Sequence, residues 1–69
     1  MELTKKLKMA MIEKNISQVE LAAMTDQTQA NLSAKMRADN FRISEYEKLV
    51  KALGCELEVN IITPSGKRY

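Results

Sequence analysis

Apolar residues recur at helical spacing up to Gly54 and then switch to strict alternation. Over residues 2–14, Leu3, Leu7, Ala10 and Met11 fall at i, i+4, i+7 and i+8, with Lys5, Lys6, Lys8 and Lys14 mostly outside that stripe. Asn15 suits the left-handed position that ends a helix. Ser17 and Glu20 have the spacing of a capping box, which opens a second helix over about 18–24. Leu21, Ala22 and Met24 are its inward positions, and Ile16 is placed as a staple or core residue. Thr25-Asp26-Gln27 reads as a turn. Thr28 then caps a third helix over about 29–37, whose inward side holds Leu32 and Met36. Ala38-Asp39-Asn40 is a polar loop, with Phe41 and Ile43 closing the core over it. Ser44 and Glu47 repeat the capping-box spacing and predict a helix over 45–53, with Tyr46, Leu49, Val50 and Leu53 inward and Gly54 as its terminal cap.

Beyond Gly54 the period is two. Cys55, Leu57, Val59 and Ile61 alternate with Glu56, Glu58 and Asn60, as in a half-buried strand over about 55–62. Pro64-Ser65-Gly66 reads as the end of it and Lys67-Arg68-Tyr69 as a loose tail. A lone strand leaves its backbone groups unpaired. With no second strand candidate in the chain, the simplest expectation is antiparallel pairing with the same segment of another copy, through Leu57, Val59 and Ile61. A strand that only packs on the helices, or a frayed tail, also fits the pattern. The fold expected is therefore mainly α, with residues 1–54 as a helical domain and 55–69 as a dimerisation strand and tail.

Composition narrows the picture. At 69 residues the chain holds one domain, of a size that buries only about 60% of its unfolded surface. Cys55 is the sole cysteine and there is no histidine, so neither a disulfide nor a zinc site is expected, and no cofactor. Oligomerisation is the remaining aid to stability, which again points to a homodimer. The unpaired cysteine suits a reducing cytoplasm. The apolar run Met9–Ile12 is too short for a signal-peptide core or a membrane span. Eleven basic against nine acidic residues give a net charge of +2, a bias too mild to point to nucleic acid by itself. Its distribution says more: residues 27–42 carry Lys35, Arg37 and Arg42 against Asp39 alone.

Residues 17–37 are the most specific stretch. Two short helices hinged by a tight turn, the second opening with small polar residues, form the pattern of a helix-turn-helix. Ser17-Gln18, Leu21-Ala22, the polar start Thr28-Gln29-Ala30-Asn31-Leu32-Ser33 and Lys51-Ala52-Leu53-Gly54 extend that pattern. By their order and spacing, residues 7–54 resemble the phage-repressor (XRE-type) helix-turn-helix family. Asp26 stands where that family often has a turn glycine, Thr25 replaces a common aliphatic, and Lys35 lies near an expected core position that Met36 can fill. The segment after Gly54 is similar to the C-terminal extension of antitoxin-type members, in which two strands form an intersubunit sheet.

The resemblance implies a four-to-five-helix phage-repressor-like bundle that places its third helix in the major groove of double-stranded DNA. Gln and Asn match adenine in bidentate fashion, which makes Gln29 the first candidate for a base contact. Thr28, Ala30, Asn31, Ser33 and Ala34 line the rest of that surface, and an alanine methyl can meet a thymine methyl. Lys35, Arg37, Asn40 and Arg42 are candidates for phosphate, with Ser44 as cap and contact and Gln18 beside Gln29 by family position. Solvated roles fit the basic residues equally well, helix propensity explains the alanines, and a solvated helix start remains open for Gln29. Nothing in the sequence supports catalysis: no His, no phosphate-cradling glycine loop, and Glu45 and Glu47 suit capping better than acid–base chemistry. The main expectation is a homodimeric, sequence-specific DNA-binding regulator. The alternative is an antitoxin-type module whose main task is binding a toxin partner.

Overall fold

A computed structural model describes residues 2–69; Met1, counted above in the first domain, lies outside the described residues. Four helices form in chain order, α1 (Leu3–Lys14), α2 (Gln18–Met24), α3 (Gln29–Ala38) and α4 (Ile43–Ala52). Leu7, Met11, Leu21, Ala22, Leu32, Met36, Tyr46, Leu49, Val50 and Leu53 make one buried core, with Leu3, Ala10, Ile16, Phe41, Cys55 and Leu57 packed against its edge. The burial of Leu32 and Met36 fixes the register of α3, and Met36 fills the position beside Lys35. Met24 and Ile43, expected inside, are exposed.

All four helices end in the same way. In each, a pivot residue donates its amide three residues back and the residue after it donates five back: Asn15 to Ile12 and Ile16 to Met11, Asp26 to Ala23 and Gln27 to Ala22, Asp39 to Met36 and Asn40 to Lys35, Gly54 to Lys51 and Cys55 to Val50. This double closure satisfies carbonyls that would otherwise be orphaned, and it requires a left-handed residue at the pivot. Asn15, Asp26, Asp39 and Gly54 hold that place with φ of 55°, 55°, 51° and 74°. Three of the four are residues whose short polar side chains tolerate the conformation at modest cost.

Helix starts agree less uniformly with the sequence. The Ser17 box forms, with Ser17 N–H donating to Glu20 Oε1 and Glu20 N–H to Ser17 Oγ, both at 3.1 Å. Thr28 Oγ1 accepts from the Asn31 amide at 3.1 Å. The expected Ser44 box does not form. Helix α4 starts at Ile43, two residues early, and Arg42 precedes it without a side-chain cap. Packing sets this start: the Phe41 and Tyr46 rings lie 5.4 Å apart and the Tyr46 hydroxyl donates to Leu3 O at 2.8 Å. That arrangement draws residues 43–46 into the first turn, with Ser44 inside it and exposed.

The C-terminal expectation is corrected. Among the described residues no strand forms over 55–62, and residues 56–60 make no backbone hydrogen bond. The tail instead folds back on its own chain. Ile61 and Tyr69 exchange amide–carbonyl bonds of 2.8 and 2.9 Å, Thr63 N–H donates to Lys67 O at 2.8 Å, and Ile62 bridges to Arg68. Pro64-Ser65-Gly66 is the turn of this small hairpin, closed by Gly66 N–H on Thr63 O at 2.9 Å with Gly66 at φ 90°. Proline after the first turn residue and a left-handed glycine at its end are turn chemistry that joins strands as readily as it ends one. Of the proposed dimerisation residues, Leu57 packs against the chain's own core, whereas Val59 and Ile61 are 60% and 67% exposed.

Candidate nucleic-acid interface

Helix α3 is held by its inner face alone. Leu32 and Met36 are buried, while Thr28, Gln29, Ala30, Asn31, Ala34 and Arg37 are exposed and Ser33 is half-buried. The outward positions include Ala30, Ala34 and Ala38, so backbone and short side chains form the part of α3 farthest from the core. A helix of this profile can enter a groove about 12 Å wide without its own side chains in the way. At its start, the Gln29 side chain makes no hydrogen bond among the described residues, whereas Thr28 is engaged as the cap.

Most of the expected contact residues are exposed on α3 and on the segment that follows it, and the role of one changes. Lys35, read as a phosphate ligand, lies 3.1 Å from Glu45 Oε2 on α4, and both side chains are partly shielded. Its charge is thereby already partnered. Arg37, Asn40, Arg42 and Ser44 are exposed and carry no such pairing, and Gln18 is half-buried at the start of α2. The Ser17 amide and hydroxyl hold the Glu20 carboxyl below the usual carboxylate range. A charge fixed there favours the N-terminus of α2.

Two residues assigned only to the turn carry more than that. Thr25 is buried, with 6% of its surface exposed. Its hydroxyl donates to Leu21 O at 2.9 Å and lies 3.3 Å from Ala22 O. Gln27 Nε2 donates to Thr25 Oγ1 at 2.8 Å, and Asn31 Nδ2 donates to Gln27 Oε1 at 3.0 Å. Thr25, Gln27 and Asn31 line one side of a polar cleft of about 140 Å³, closed by Lys35, Glu45, Lys48 and Leu49. The i, i+4 spacing of Gln27 and Asn31 is a signal that sequence reading had within reach, masked by assigning Gln27 to a loop.

No described helix is long and apolar enough to cross a membrane. No curated protein matches the chain. The model of the Cro/C1-type HTH DNA-binding domain matches residues 6–58, from α1 through the segment after α4. That match spans most of the chain and takes in α2, the turn and α3, so the chain belongs to the Cro/C1-type helix-turn-helix family of DNA-binding domains.

Proposed function

We propose that the protein is a sequence-specific transcriptional regulator that binds a pseudo-palindromic operator as a homodimer, with α3 in the major groove. The observation that carries this reading is the free outer surface of α3, where Gln29, Ala30, Asn31 and Ala34 are exposed beside Arg37. Gln29 and Asn31 offer the paired donor and acceptor that adenine's major-groove edge requires. Thr28, Ser33 and the alanines fit closely against the bases, and Arg37, Asn40, Arg42, Ser44 and Gln18 meet the backbone. Lys35 joins them only by giving up Glu45. Two copies place their α3 helices roughly 34 Å apart, one turn of the duplex. Occupancy of such a site represses by occlusion, in the cytoplasm, most simply at the protein's own promoter.

The homodimer reading is supported by the C-terminal arm. Val59, Ile61, Ile62 and Tyr69 are exposed apolar residues, and residues 56–60 keep free backbone groups beside them. A radius of gyration of 13.2 Å exceeds the roughly 11 Å of a compact chain of this length, as expected for an arm held off the bundle. An isolated two-stranded hairpin is marginal in water, so a covering surface stabilises it. The same arm favours a second reading, an antitoxin-type module that binds a toxin partner there.

Selection of bound sites from a random duplex library at near-physiological salt tests the proposal. Enrichment of a two-fold-symmetric site is the expected result. Failure to enrich any sequence would remove the operator reading and leave the protein-partner reading in its place.

A further inference from the structure

Asparagine in water has little preference between its two amide orientations, which exchange the donor and acceptor edges. Reading adenine requires one of them, with N–H toward N7 and the carbonyl toward the N6 amino group. The chain Leu21 O, Thr25, Gln27, Asn31 removes the choice. The only hydrogen of the Thr25 hydroxyl is committed to helix carbonyls, at 2.9 Å to Leu21 O and 3.3 Å to Ala22 O. The Thr25 oxygen can therefore only accept, and Gln27 must present Nε2 to it, at 2.8 Å. That turns Gln27 Oε1 toward Asn31, which must answer with Nδ2, at 3.0 Å.

Asn31 is left with one N–H and its carbonyl oxygen unused, on an exposed side chain. Its backbone is fixed as well, since its amide donates to the Thr28 cap. We propose that Gln27, anchored on the buried Thr25 hydroxyl, is a positioning residue that fixes the Asn31 amide to read one base of each half-site, with adenine as the chemical match. The inference rests on the reading of α3 as the base-contacting helix. Its physical content is preorganisation: a side chain held in its bound orientation loses less freedom on binding than a free one.

Site selection with Asn31→Ala, Gln27→Ala, Gln27→Glu and Thr25→Val tests this, read as base preference within the enriched site. Asn31→Ala should relax one base pair per half-site by about tenfold, the scale of a bidentate contact. Gln27→Ala should relax the same base pair, by at least about threefold, and Thr25→Val should do so from a buried position. Gln27→Glu should relax it as well, because a carboxylate has no hydrogen to give the Thr25 oxygen and loses the anchor. A merely structural role for Gln27 predicts a loss spread over the whole site, not one confined to the base pair that Asn31→Ala relaxes. Wild-type preference retained in Gln27→Ala, or relaxation by Gln27→Ala at positions other than the one that Asn31→Ala relaxes, would overturn the proposal. So would Asn31→Ala relaxing no position while Gln29→Ala still relaxes one. If the unmodified protein enriches no site, the operator reading itself fails, and this proposal fails with it.

Discussion

The carboxylate of Asp39 accepts a hydrogen bond from the backbone amide of Thr4 at 2.8 Å, so the residue that ends α3 also caps the start of α1. The Thr4 hydroxyl returns the contact by donating to Met36 O at 2.6 Å. Helix α1 has no cap of its own, since Glu2 makes none. The first helix of the domain is thus completed by the last turn of the helix read here as DNA-contacting. Asp39→Asn should weaken the cap and lower the thermal midpoint, while leaving the left-handed pivot intact. Differential scanning calorimetry on the two proteins checks this, and an unchanged midpoint would mean that the Thr4 contact contributes nothing to stability.

The same bond sets an acid limit. Donation from the Thr4 amide holds the Asp39 carboxyl below its ordinary value of 3.8, and the Ser17 amide does the same for Glu20 against 4.5. Carboxyls lowered in the folded state bind fewer protons than in the unfolded state. Their contribution is therefore present above the ordinary values and is lost as pH falls through the lowered ones. Stability should be flat with respect to these two groups near neutrality and should fall below about pH 4.5. Denaturant midpoints measured across that range for the unmodified protein and for Glu20→Gln should show the fall shrinking in the variant.

The left-handed pivots divide by what their side chains do. Asp26 at φ 55° makes no side-chain hydrogen bond among the described residues, whereas Asp39 at φ 51° caps α1. Glycine tolerates this conformation without steric cost. Asp26→Gly should stabilise the domain by roughly 0.5–1 kcal/mol, and Asp39→Gly should destabilise it, both read from urea midpoints.

Burial separates two apolar residues of similar size. Leu32 is fully buried at the centre of the core, and Ile12 is 80% exposed on α1. Leu32→Ala should cost about 2–5 kcal/mol, enough to leave so small a domain largely unfolded. Ile12→Ala should stay within about 0.5 kcal/mol. Far-ultraviolet circular dichroism during thermal unfolding distinguishes them.

The phosphate reading separates Arg37 from Lys35. Arg37 is exposed and unpaired, while Lys35 already faces Glu45 at 3.1 Å. Arg37→Ala should weaken binding to the selected site uniformly and reduce the salt slope by about 1. Lys35→Ala should alter that slope less, since its charge is partly cancelled before DNA arrives. Equal changes would show that Lys35 leaves Glu45 in the complex.

In the C-terminal arm, Leu57 packs on the chain's own core and Val59 does not. If the proposed homodimer forms through this arm, Val59→Asp should leave the fold intact and give a monomer, and Leu57→Asp should destabilise the chain's own fold. A Val59→Asp protein still dimeric by light scattering would place the homodimer contact elsewhere.

The helices and the inner face of α3 were legible in the sequence because they follow from spacing along a single segment. Leu32 and Met36 lie four residues apart and cannot leave a shared helix face. Ser17 and Glu20 complete their box within one turn, and Asn15 and Gly54 end their helices by backbone preference alone. What the sequence left open depended on residues distant along the chain. The early start of α4 is set by Phe41 and Tyr46 packing together, with Tyr46 tied to Leu3 O, which no local cap preference at Ser44 can anticipate. Asp39 caps a helix 35 residues away and Lys35 turns to Glu45 across a helix boundary. Local pattern fixes most of the inward positions, Met24 and Ile43 excepted; only the packed chain decides which apolar residues at the edge are covered and which polar groups find each other, because both depend on distances through space.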